Sequence, residues 1–167
     1  MRAVRAWLVD LHPAWSLLAL LVLFWVPVLA APELRYVVAI GLALQIIPLL
    51  WAHGIHDRAS QYAPSPRAVA GDRLFVGTEI AFAVVALLAA LTPAATFQTP
   101  VGNPLALIVV LYFVSFWFAA TALTQAETRT GFDARAGTFL LLVYWCFGTW
   151  VLRKRLRALA SHPPTAA

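Results

Sequence analysis

Cysteine is nearly absent: the chain has one, Cys146, inside an apolar segment. A disulfide framework, a cysteine zinc site and a two-cysteine redox relay are thereby excluded. A lone cysteine in such a place is ordinarily a small apolar packer. Charge is scarce as well. Only 11% of the 167 residues are charged and 62% are hydrophobic, against about a quarter and about half in a soluble domain. The longest polar stretch, residues 54–73, reads as a loop and leaves no room for a separate soluble domain. Lysine is confined to Lys154, so the net charge of +5 comes from arginines that border apolar segments. Basic residues placed there meet lipid headgroups and fix topology, and nucleic acid is not an expected partner. A glycine-rich phosphate loop, a serine nucleophile elbow, a pore-like filter and paired broken helices are also missing.

What is present is a series of apolar blocks, at about 14–31, 36–53, 74–91, 105–124 and 136–152. Each is long enough to cross a hydrocarbon core of about 30 Å at about 1.5 Å per residue. Backbone groups must bond to one another there, so each block is expected to be α-helical. The fold expected is a single all-α domain over residues 1–160, an integral membrane helical bundle with five transmembrane helices. A basic amphipathic segment at 151–160 and a disordered tail at 161–167 complete it. The first block also has the outline of a cleavable signal peptide, which leaves four helices in the alternative. Pro27 and Pro48, inside blocks, predict kinks.

Five spans place the N-terminus and residues 54–73 and 125–135 at one membrane face, here the polar face. His53, His56, Asp57, Asp72, Glu127 and Asp133 then share one level. The basic tail falls on the opposite face. Arg2, Arg5 and the other basic residues favour a cytoplasmic N-terminus in a bacterial inner membrane.

The stretch "WAHGIHDR" (residues 51–58) carries histidines three apart, with Asp57 one turn from His53. An aspartate there can fix the tautomer of a metal-bound histidine, and Asp72, Glu79, Glu127 or Asp133 can supply further ligands. The competing reading is a helix end meeting water and headgroups, because the pattern is far weaker than the longer helical zinc motifs. Glu79 is the sharper anomaly. It lies about 7–8 Å inside an apolar block at about 1.5 Å per residue, where an ionised group is costly without a partner. Asp72 and Glu79 fall on one helix face. Glu79 can serve as a proton or cation ligand beside His53 or His56, or pair with an arginine such as Arg135.

Other features have structural readings. Gln45 near Pro48 suits one interhelical hydrogen bond. Gly131 reads as a turn. Gly137, Leu141, Tyr144 and Gly148 form one face, and Ser115 with Ala119 another, both suited to close helix packing in the bundle or in a homo-oligomer. Trp15, Trp51, Tyr36 and Trp150 read as interfacial belts. Arg153, Lys154, Arg155 and Arg157 alternate with leucines, as in a helix lying on anionic lipid.

The last third, "FAATALTQAETRTGFDARAGTFLLLVYWCFGTWVLRKRLRAL", resembles the C-terminal part of an uncharacterised family of small bacterial polytopic membrane proteins. Ala120, Leu123, Glu127, Phe139, Leu141, Gly148, Trp150 and Leu152 carry the likeness. Members continue with Gln-Pro where this chain has Arg153 and Lys154. The resemblance implies a polytopic membrane protein and no activity.

On the sequence alone the balance favours a non-enzymatic accessory or interaction protein without a cofactor, working through lipid contacts or a membrane-protein partner. Two alternatives stand beside it. One is a small proton- or cation-coupled transporter module using Glu79. The other is a membrane enzyme with a metal or haem at the polar face, held by His53, His56 and Glu79. Glu79 tied to an arginine without a cavity favours the first; Glu79 on a histidine beside a water-reachable cleft favours the others.

Overall fold

The computed structural model describes residues 2–10, 14, 15, 18, 21, 22, 25, 33–92, 102–128 and 131–161. Most of the 14–31 block, with its cleavage reading, lies outside the described residues, as do residues 162–167. All regular structure among the described residues is helical: α1 (Arg2–Asp10), α2 (Leu34–Leu44), α3 (Ile46–Tyr62), α4 (Pro66–Leu91), α5 (Gly102–Ala126), α6 (Phe132–Val143) and α7 (Trp145–Ala160). Among them, three runs are long and apolar enough to cross a membrane: Arg35–Tyr62, Pro66–Leu91 and Ala106–Ala126. Their outer faces expose Ile80, Leu87, Leu91, Leu107 and Val110, large apolar side chains of the kind that face lipid. The chain is a helical membrane protein.

α2 and α3 are one run interrupted at Gln45. Pro48 has no N–H for the Leu44 carbonyl and its ring crowds that carbonyl, which accounts for the interruption one turn before it. The polar stretch 54–73 is not the loop its composition suggests. α3 continues to Tyr62 and α4 starts at Pro66. A helix leaving the bilayer keeps its ladder if something covers it, and α1 covers α3. The restart is local: the Ser65 hydroxyl accepts from the Ala68 N–H at 3.2 Å and Pro66 stands at the first helical position, a favoured opening.

Between α4 and α5 the contact is small and polar at its middle. The Thr78 and Ser115 hydroxyls lie 3.2 Å apart, and Ala119 beside them is fully buried. The core around this seam contains Leu49, Ile55, Phe75, Phe116 and Leu123, none exposed. Tyr112 donates to the Gln45 amide oxygen at 3.4 Å, the single interhelical bond expected of that glutamine. Trp51 is buried and packs on Trp145 at 6.4 Å between ring centroids, so it is core and not belt.

The block at 136–152 departs most from expectation. It breaks at Tyr144 into arms of 12 and 16 residues. Gly148 lies directly against the Leu141 carbonyl, while Gly137 faces open space. The glycine face therefore serves a fold-back of the chain on itself. Arg155 donates through Nε to Glu127 Oε1 at 2.6 Å, through Nη2 to Oε2, and through Nη1 to the Thr138 hydroxyl at 3.0 Å. This corrects the placement of the tail: Arg155 turns inward and shares the level of Glu127, and only Lys154 and Arg157 of the basic set are exposed. Both partners are mostly buried, so Arg155→Ala leaves a carboxylate without its partner. It should cost about 2–4 kcal/mol, read as a lower thermal midpoint in detergent, whereas exposed Arg157→Ala should cost under about 0.5 kcal/mol.

Candidate functional site

α3 leaves the apolar core with His53 fully buried and Asp57 one turn later. Opposite stands α4, whose Asp72 and Glu79, two turns apart, face the same way. The His53 ring stacks on Phe75 at 4.7 Å and 11°, which fixes its plane. Within that plane Nδ1 lies 2.6 Å from Glu79 Oε1 and Nε2 lies 2.8 Å from Asp72 Oδ1. Asp57 Oδ1 is 3.7 Å from Nε2. Side-chain exposure rises outward, from 10% at Glu79 through 27% at Asp57 to 46% at Asp72. The buried glutamate has found the partner that its cost demanded, and it is an imidazole rather than an arginine.

The cation of the cluster comes from α1. Arg5 Nε is 3.4 Å from Asp57 Oδ2 and Nη1 is 3.9 Å from Asp72 Oδ1, and Nη1 also lies against both ring nitrogens of His53. Close approach of α1 to α3 depends on Gly54. A Cβ there would stand 2.7 Å from Val9 Cγ2 and 2.8 Å from the Arg5 carbonyl oxygen. At the far end of α1, Asp10 accepts from Arg58 at 2.9 and 3.3 Å. The Arg58 hydrogen bonds hold the Asp10 carboxyl below its usual range. This tie therefore persists at neutral pH and weakens only as acidification carries Asp10 through that lowered value.

His56 takes a different part. Its Nε2 donates to the Ala68 carbonyl at 3.0 Å, and its ring fits only because Gly71 has no side chain; a Cβ there would lie 2.6 Å from His56 Cε1. Outside the cluster is a cleft of about 530 Å³ whose walls include Arg5, His56, Asp57, Arg58 and Asp72. Of the expected site residues, His53, Asp57, Asp72 and Glu79 are brought together. His56 is turned away from them, Glu127 is held by Arg155, and Asp133 is exposed in the first turn of α6. Arg5, Gly54 and Gly71 were not among the expected site residues. The one clue to Arg5 was its place four residues before Val9, on the face of α1 that turns inward.

His53, Asp57 and Asp72 each offer a ligand atom within 4.8 Å of the others. Typical metal–ligand bonds of about 2.0–2.2 Å reach across such a set after a modest contraction. Glu79 then stands where an outer carboxylate belongs, accepting Nδ1–H and aiming the Nε2 lone pair at the ion.

No family model, curated protein or solved structure matches this chain. The likeness of the C-terminal third rests on its eight matching residues alone.

Proposed function

We propose that this is a multi-pass protein of a bacterial inner membrane, with the 14–31 block as a further span. Its working centre is a divalent transition-metal site at the polar face. His53, Asp57 and Asp72 hold the ion, Glu79 orients His53, and the cleft admits a small polar ligand. The observation that carries this reading is the buried His53 ring, with one nitrogen on Glu79 and the other facing Asp72 and Asp57.

A nitrogen and carboxylate donor set suits zinc, manganese or ferrous iron better than copper(I). Three protein ligands beside an open cleft leave positions for water, as in catalytic rather than closed structural sites. An ion there supplies Lewis acidity and an acidified water. Arg5 and Arg58, on the cleft wall, suit an anionic or carbonyl-bearing substrate. A transport role has less support, because inward of Glu79 the buried positions of α4 are Phe82, Ala86 and Ala89, which carry no further titratable group along that helix. The accessory reading predicted an arginine on Glu79 and no cleft.

The test is calorimetric titration of tag-free protein, stripped of metal in detergent, with zinc and manganese. One equivalent should bind. Glu79→Gln should weaken binding about 10–100-fold, as loss of an outer carboxylate does, and His53→Ala should weaken it by more than about 100-fold. Wild-type protein that binds neither ion, or His53→Ala protein that binds as well as wild type, would sink the proposal.

A further inference from the structure

A second cavity, of about 230 Å³, lies behind the wall formed by His56, Ser60 and Ala68. It runs along α5 from Gln125, near the polar end, to Trp117, and Arg67 and Arg135 border it. Gln125 and Trp117 are about 12 Å apart along α5 at about 1.5 Å per residue, so the groove reaches from headgroup level into hydrocarbon depth. Among the described residues its lining contains two arginines and no aspartate or glutamate. Arg135 Nε, Ser60 Oγ and His56 Nδ1 are buried there without a hydrogen-bond partner among the described residues. Buried polar atoms of that kind call for a ligand or water. His56 is only 2% exposed, and its Nε2 is already the donor to Ala68, which leaves Nδ1 as an acceptor.

We propose that this groove binds one anionic phospholipid by its headgroup, and that the occupant is of the phosphatidylglycerol class. Arg135 and Arg67 take the phosphate through charge-assisted hydrogen bonds. The headgroup hydroxyls meet Ser60 Oγ and donate to His56 Nδ1. Trp117, Phe118 and Ala122 receive the glycerol backbone and the start of an acyl chain. A free phosphate would satisfy the guanidiniums and leave the aromatic wall bare. An ethanolamine head would bring an ammonium group toward two arginines. The site is separate from the basic tail and independent of any ion at His53.

The experiment is native mass spectrometry of the full chain in detergent, offered phosphatidylglycerol or phosphatidylcholine of the same chain length. Inorganic phosphate is titrated by calorimetry alongside. One phosphatidylglycerol should be retained in preference to phosphatidylcholine. The double variant Arg67→Gln/Arg135→Gln should lose at least about tenfold of that preference, the effect of losing even one charge-assisted bond, while Lys154→Gln/Arg157→Gln keeps it. If the double variant is poorly folded, Arg67→Gln alone, at an exposed position, carries the same expectation. Three results would each overturn the proposal: equal retention of both lipids, a preference that follows the tail arginine and lysine, or phosphate binding as tightly as the lipid.

Discussion

Arg5→Gln is expected to destabilise ion-free protein by about 3–5 kcal/mol, the usual cost of removing one partner from a buried charge cluster. Its side chain is 9% exposed, and it is the cation set against Asp57 and Asp72. Glutamine fills much of the same space without charge, so those two carboxylates lose their cation. The same change should tighten zinc or manganese binding by about tenfold or more, since the guanidinium and the ion compete for one position and one unit of charge compensation is worth at least about 1.4 kcal/mol. Thermal unfolding with chelator and with saturating metal separates the effects. A large deficit with chelator should shrink when the ion is added. If Arg5→Gln binds metal more weakly than wild type, Arg5 supports the ion rather than standing in for it.

Gly148→Ala is expected to cost more than about 4 kcal/mol, a range reached only by a few mechanisms such as severe overpacking. A Cβ at 148 would lie 1.8 Å from the Leu141 carbonyl oxygen and 2.6 Å from its carbon. Those atoms are backbone, held by α6, and no rotamer change relieves them. The arms at Tyr144 would have to open, drawing Leu152 and Leu156 out of the core and Arg155 away from Glu127. Gly137→Ala is the control. It sits in open space within α6 and should stabilise by about 0.5–1 kcal/mol through helix propensity. Thermal midpoints of the two variants, measured side by side, check the pair; similar values would refute the account of the fold-back.

The membrane-helical character was legible because apolar blocks are a direct record of what faces lipid. Helix ends were less legible, for the same reason. Hydropathy stops where water begins, whereas the α3 ladder runs on to Tyr62 under cover of α1 and α4 opens at Pro66. The Ser65–Pro66 opening went unread because the polarity of the whole stretch suggested a loop. Within the site, Asp72 and Glu79 could be paired by their seven-residue spacing, and Glu79 by the cost of burying it. His56 misled because histidines three apart look like ligands, although Ala68 was nearer its ring. Arg5 stood hidden for a plainer reason: its partner lies 48 residues away, and a basic residue near an apolar block has an ordinary meaning. Arg155 was hidden likewise, since no proline marks the break at Tyr144.

The outward rise in exposure from Glu79 to Asp72 makes the centre a one-sided object. On the proposed reading an ion would enter and leave past Asp72, the most exposed of the carboxylates, and Glu79 would be the last group it meets.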